Sequence, residues 1–353
     1  MIIKKILLLA ASIINLFILQ LFVTTYCNSE ETNSKHYSKD NGILSLMYHR
    51  FNENKYPSTN IKMHIFKEQM QLIKSLGYNF YDPKFLVKDY HKVKKEKEIL
   101  ITIDDGFTSF YVEAWPYLKK EKIPFILFIS TNPVGKNGYM TWEEIKEIEK
   151  SEFGYIGHHS HTHEYLIEMD NVKFINDITT ANKIFQNKLG FVPEIFSYPF
   201  GEYSEYMRNY ISENFSIGFG QHSGVIDVNK DKFELPRFPI NEKYGDLKRF
   251  KSLINYKPLE YKTLKPKEKK ILDKDNPPKL IIEFFEEQNN IKNINCYSND
   301  GGNWKKSKLE FQNQTLKINF DQKFEPRRGR INCSLNDKGQ WRWFGTQFTI
   351  QKN

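Results

Sequence analysis

The chain predicts an α/β domain built on a parallel sheet, followed by a small antiparallel β domain, and three observations carry this. Short apolar runs alternate with helically spaced segments from residue 43 to residue 219, the pattern of successive βα units whose sheet can roll into a barrel. Ile99-Leu100-Ile101-Thr102-Ile103 reads as a strand buried on both faces, and it ends in Asp104-Asp105-Gly106. Beyond residue 257 the pattern changes to short alternating segments separated by Asn and Gly.

Met1–Thr25 opens with Lys4 and Lys5 and then runs Ile6–Val23 almost without charge, which is the layout of an export signal or an N-terminal membrane anchor. Cys27 invites a lipoprotein reading, but Tyr26 is bulky where a small residue is expected. We therefore divide the chain into a signal or anchor (1–27), a polar tether (28–41), an α/β domain (42–256), a linker (257–278) and a β-rich domain (279–353). An exported protein of the periplasm, envelope or cell exterior follows, with membrane attachment through the N-terminal segment open.

Ile43–Tyr48 is an apolar strand ending in His49-Arg50. Phe66, Met70, Ile73 and Leu76 recur at helical spacing, with Gly77 as the stop. Tyr78–Tyr81 reads as an edge strand. After the Asp-Asp-Gly strand come a helix around Glu113–Lys120, a buried strand Phe125–Ser130 and a helix Trp142–Lys150. A short strand Tyr155–Gly157, a long helix Val172–Leu189 closed by Gly190 and a strand Ile195–Tyr198 follow. A helix Glu205–Glu213 and a strand Ile217–Phe219 complete the α/β pattern. Residues 258–278 hold four prolines and many lysines, which is linker chemistry. The β domain is read from Leu280–Phe284, Leu309–Phe311, Leu316–Phe320, Arg330–Leu335 and Trp341–Ile350. Cys296 and Cys333, an even pair once Cys27 is set aside, are expected to form a disulfide there.

With 39% hydrophobic and 15% aromatic residues the chain can bury a sizeable core. Its net charge of +9 lies mostly in scattered lysines, and no aromatic residues interleave the basic clusters, so nucleic acid is excluded as a partner. No Gly-x-Ser-x-Gly elbow is present, which argues against serine-hydrolase chemistry.

The chemistry concentrates in two stretches. Adjacent carboxylates at a sheet's carboxyl edge repel each other unless a cation holds one of them. Taken alone, Asp104-Asp105-Gly106 reads equally as a turn between strands. Gly157-His158-His159-Ser160-His161-Thr162-His163 holds four histidines in six residues, more polar rings than a hydrophobic core can use. Two of these rings with one aspartate make three ligands and leave a position open for water, the layout of a catalytic metal site. The rival reading is a surface histidine tract that binds metal adventitiously.

Together, Ile103-Asp104-Asp105-Gly106 and His159-Ser160-His161-Thr162-His163 resemble the first two motifs of the polysaccharide deacetylases, carbohydrate esterase family 4 with the NodB-homology fold. Ser197-Tyr198-Pro199-Phe200-Gly201 is similar to the third. The resemblance spans roughly residues 43–250, and it is strongest to the branch acting on poly-β-1,6-N-acetylglucosamine. It implies a distorted, permuted (β/α) barrel with a Tyr-His element before the Asp-Asp motif, and an N-acetylated polysaccharide as substrate. It also implies Asp105, His159 and His163 as ligands of one divalent ion, zinc being the expected metal, and Asp104 as general base. The backbone N–H of Phe200 is the implied oxyanion donor, beside Pro199. His49 is the candidate acid, with His222 as competitor. Most of the family has Arg two residues before the motif's proline, where this chain has Ser197; Arg237 is a candidate to supply that guanidinium. His158 and His161 match no expected ligand and are assigned to the rim, and Trp142 is a candidate sugar platform. A peptidoglycan or chitin-oligomer deacetylase and a non-catalytic glycan-binding protein are the alternatives.

Overall fold

In the computed structural model, which describes residues 42–90, 98–286, 288, 290–325 and 327–351, seven parallel strands form the frame of the site. Their order across the sheet is Phe238–Pro239, Ile43–Tyr48, Glu98–Ile103, Phe125–Ile129, Gly154–His158, Ile195–Ser197 and Ile217–Phe219. The short strand Asn79–Phe80 adds to Glu98–Ile103. The two ends of the sheet approach each other through residues 232–239. Leu235 exchanges backbone hydrogen bonds with Gly218 and Gly220, while Phe238 pairs with Leu46 on the first strand. The sheet is thus a distorted half-barrel that one irregular segment almost closes.

Alternation along the strands decides what faces inward. Ile99, Ile101 and Ile103 pack with Phe66, Met70, Trp115 and Leu118 of the surrounding helices. Leu100 packs instead with Ile126, Phe128, Phe219 and Leu235 in the barrel interior. With a side-chain period of two, Thr102 and then Asp104 follow Leu100 inward. The helices start on side-chain caps where the sequence offers them: Thr141 with Glu144 forms a capping box for Trp142–Glu149, and Asp170 and Ser204 cap Asn171–Leu189 and Glu205–Asn214. Each such cap contributes about 1 kcal/mol. The first helix is Met63–Ser75; it stops one residue before Leu76, which is exposed, and Gly77 takes the left-handed conformation.

The C-terminal unit is two antiparallel-based sheets around one core. Gln340–Ile350 pairs along its length with Arg328–Asp337, which pairs in turn with Asn295–Ser298. The second sheet joins Leu280–Glu283 to Thr315–Asn319 and Lys308–Gln312. Leu280, Ile282, Leu316 and Ile318 of one sheet meet Ile331, Cys333, Leu335 and Phe348 of the other. Residues 257–278 are not the free linker their prolines and lysines suggest. Lys257–Pro258 and Lys270–Ile271 pair with Gln340–Ile350, and Thr263–Lys265 pairs with Leu280–Glu283, because these strands left unpaired edges.

Cys296 and Cys333 are register partners on neighbouring strands and are joined by a disulfide. The bridge is typical of oxidising, extracytoplasmic compartments. Its sequence separation of 37 implies a stabilisation of roughly 3–4 kcal/mol through chain entropy. The double variant C296A/C333A should therefore melt markedly lower in thermal unfolding of the whole chain; an unchanged melting profile would contradict this. No helix among the described residues is long and apolar enough to cross a membrane. The expected signal or anchor at 1–27 lies outside the described residues.

Candidate metal centre and active site

Asp105 leaves the strand edge with a φ of 76°, followed by Gly106 at 69°. A Cβ on Gly106 would lie 2.6 Å from Ile129 Cδ1, so both the positive φ and the space at this turn favour glycine. Ser160, His163 and Phe200 also take positive φ. Four of the eight non-glycine residues in that region among the described ones thus sit at this site, where the surrounding structure holds the strain.

The loop after Gly154–His158 brings two rings back to Asp105. His159 Nε2 lies 3.4 Å and His163 Nε2 3.0 Å from Asp105 Oδ1, and the three ligand atoms fall within 4.8 Å of one another. His159 Nδ1 is 2.7 Å from the Ser197 carbonyl oxygen. A carbonyl only accepts, so Nδ1 carries the proton and Nε2 presents a lone pair to the site. Asp105 Oδ1 and His159 Nε2 are buried without a well-formed hydrogen bond. One carboxylate and two imidazoles with unused lone pairs fit a divalent cation and leave coordination positions free. Burial by itself would raise the Asp105 pKa, but His163 and His159 hold it well below the usual carboxylate range. His163 is shifted up, the Asp105 carboxylate outweighing the effect of burial.

Asp104 points the other way, into the barrel, where Arg237 meets it with both terminal nitrogens. Arg237 Nη1 donates to Asp104 Oδ1 at 2.6 Å and Nη2 to Oδ2 at 2.9 Å. The remaining donors reach Gly220 O, Ser197 Oγ and Thr102 Oγ1. Both residues are fully buried. Burial would raise the Asp104 pKa, yet Arg237, then His159 and His49, bring it below the ordinary value. The guanidinium expected at position 197 is therefore delivered from residue 237. Because it has no exposed surface, Arg237 supports Asp104 and is not a substrate-binding residue.

His49 emerges at the same edge, with Nε2 3.9 Å from Asp104 Oδ2, and lines a cleft of ≈ 840 Å³ together with Asp105, His163 and Phe200. Burial lowers its pKa, opposed by Asp105 and Asp104. Phe200 stacks on Tyr165 at a ring distance of 4.2 Å and lies 4.8 Å from the His163 ring. Pro199 beneath it is buried. His222 lines the same cleft, and burial pushes its pKa down to about 3.

Other expected site residues lie elsewhere. His158 is fully buried among Phe185, Phe196 and Phe215, not on the rim: strand alternation turns it outward into the helix layer while His159 faces the site. His161 pairs through Nδ1 with Thr131 Oγ1 at 2.8 Å. Trp142 packs edge-on against Phe185 and joins the barrel's outer core, so it is not a sugar platform in the cleft. One residue that sequence reasoning missed holds the histidine loop. Asp177 accepts from the backbone N–H groups of His161 and Thr162 and from the Thr162 hydroxyl. Its signal was an acid on the apolar stripe of Phe174, Ile178, Ala181 and Phe185.

Residues 91–214 match the family described as "Polysaccharide deacetylase". Over 199 residues the chain is 30% identical to "Putative polysaccharide deacetylase YxkH" of Bacillus subtilis, covering 56% of this chain and 70% of that protein. It is 25% identical over 240 residues to the "Poly-beta-1,6-N-acetyl-D-glucosamine N-deacetylase" of Staphylococcus aureus, covering 58% of this chain and 80% of that one. Among solved structures, IcaB from Ammonifex degensii superimposes with a TM-score of 0.53 at 25% identity, over 60% of this chain and 97% of that one. The Streptococcus pyogenes deacetylase PplD in complex with acetate shares the fold, with a TM-score of 0.53 at 20% identity over 58% of this chain and 95% of that one. With its motifs, its half-barrel and these relatives in view, the chain belongs to the polysaccharide deacetylases, hydrolases of carbon–nitrogen bonds.

Proposed function

We propose that the protein is exported and removes N-acetyl groups from an N-acetylglucosamine polysaccharide of the cell surface, of the poly-β-1,6-linked kind. The observation that carries the reaction is the division of two adjacent carboxylates between two partners: Asp105 with His159 and His163, Asp104 with Arg237. The similarity to the Staphylococcus aureus poly-β-1,6-N-acetyl-D-glucosamine N-deacetylase supports the sugar linkage. In this reading Asp105, His159 and His163 hold one divalent ion, zinc being the expected one. Such an ion supplies a Lewis acid for the acetamide carbonyl and makes water more acidic.

The chain's own residues do the rest. Asp104, kept ionised by Arg237, takes a proton from the attacking water as its oxygen bonds to the acetamide carbon. The Phe200 N–H donates to the developing oxyanion. His49 gives a proton to the nitrogen as the carbon–nitrogen bond breaks, releasing acetate and leaving an amine on the sugar.

Acetate release from β-1,6-linked N-acetylglucosamine oligomers, chitin oligomers and peptidoglycan tests the linkage. Turnover of the first is expected to exceed the others, and release from chitin oligomers or peptidoglycan alone would refute it. His49→Ala should keep the bound ion and lower kcat by about 10²-fold or more. Near-normal kcat would move the acid role to His222.

A further inference from the structure

The cleft has two walls of different origin. One is the barrel edge with His49, Asp105 and His163; the other includes Trp304, Arg328, Arg330 and Trp343 of the C-terminal unit. That second wall is fastened beside the third motif. Glu202, buried two residues after Phe200, takes both Arg327 and Arg328, and Gln347 Nε2 donates to Gly201 O at 3.3 Å. Trp343 stacks on Tyr256 of the barrel unit at 5.2 Å with the ring planes nearly parallel. A wall held this closely to Phe200 belongs to the substrate's surroundings.

Its charge is one-sided. Lys243, Arg249, Arg328 and Arg330 line the cleft against a single carboxylate, Asp105, which the two histidines occupy. Arg328 is answered by Glu202. Arg249 and Arg330 are not answered in kind among the described residues. Arg249 bonds through Nη1 to the Tyr244 carbonyl, and Arg330 through Nε to Gln347 Oε1 at 3.0 Å. Acids reach them only at longer range, Asp246 for Arg249 and Glu202 for Arg330. Two guanidiniums on the cleft lining, Arg249 half-buried and Arg330 exposed, each with spare donors and no paired carboxylate, are poised for a planar anion. Trp304, 48% exposed on the same wall, offers a ring face on which a pyranose can stack, so the anion's carrier is a sugar chain rather than a free ion.

We propose that this part of the cleft is an anion-recognising glycan subsite, in which Arg249 of the barrel unit and Arg330 of the C-terminal wall take a carboxylate or phosphate group borne by the N-acetylated polysaccharide. The proposal rests on the deacetylase reading and adds that the preferred glycan carries negative charge near the scissile acetamide, whatever its linkage.

The test compares acetate release by the intact chain from N-acetylglucosamine oligomers of one length in three forms: neutral, carboxylate-bearing and phosphate-bearing. Wild type should prefer at least one charged form by about tenfold in kcat/KM, the scale of one charge-assisted hydrogen bond. The form preferred identifies the source of the anion. The preference should shrink as salt is raised. R249Q/R330Q should lose it, chiefly through KM, while R249K/R330K, which keeps the charge, should retain part of it. Equal rates on all three forms with wild type would overturn the proposal, as would a glutamine variant that loses activity in the same proportion on each. If none is turned over, direct titration with the charged oligomers still decides: binding that R249Q/R330Q abolishes upholds the subsite though the deacetylase reading has failed, and no binding overturns it.

Discussion

Asp104→Asn should lower kcat by about 10²–10⁴-fold while leaving the bound ion in place, which is the cost of losing a general base. The split follows from geometry. Asp104 turns inward with Thr102, and Arg237 takes both of its oxygens, whereas Asp105 alone faces His159 and His163. The asparagine keeps the shape but presents an amide where Arg237 needs a second acceptor, so some stability is lost as well. Metal content measured beside kcat separates the two effects. A variant within a few-fold of wild type would mean that the proton goes elsewhere, and one that loses its ion would mean that Asp104 is itself a ligand.

Arg237→Met should cost about 3–5 kcal/mol of stability, the scale for breaking one side of a buried ion pair. Asp104 would lose its main counter-charge in a fully buried setting, with Gln221 Nε2 at 3.5 Å as its remaining amide neighbour. Ser197 Oγ and the Gly220 carbonyl would also lose their donor. Removing both partners together, as Asp104→Leu with Arg237→Met, should recover much of that stability and none of the activity, because two apolar groups of similar size satisfy the site better than one stranded charge. Chemical denaturation of the single and the double variant checks this. Equal stability of the single and double variants would contradict the pairing.

What could be read from residues alone follows the strength of local signals. Ile99–Ile103 is apolar on both faces, so its identity as a central strand and the place of Asp104 and Asp105 at its edge were legible. The histidine tract was legible because chemistry, not packing, explains most of it. His158 was misread because a single ring in a strand belongs to whichever layer the pleat turns it toward, and that depends on register. Arg237 could be named as a candidate but not placed: it comes from the irregular segment that closes the barrel, which has no periodicity to read. Residues 257–278 look like linker because prolines and lysines also suit sheet edges. Asp177 required knowing which loop would lie over its helix.

The most direct measurement is metal content paired with acetate release, on wild-type protein stripped by a chelator and then reloaded. One equivalent of a divalent ion per chain should be lost and regained in step with turnover, and His163→Ala should fail to regain either. Full acetate release from metal-free protein, or one firmly bound ion in His163→Ala, would contradict the centre formed by Asp105, His159 and His163.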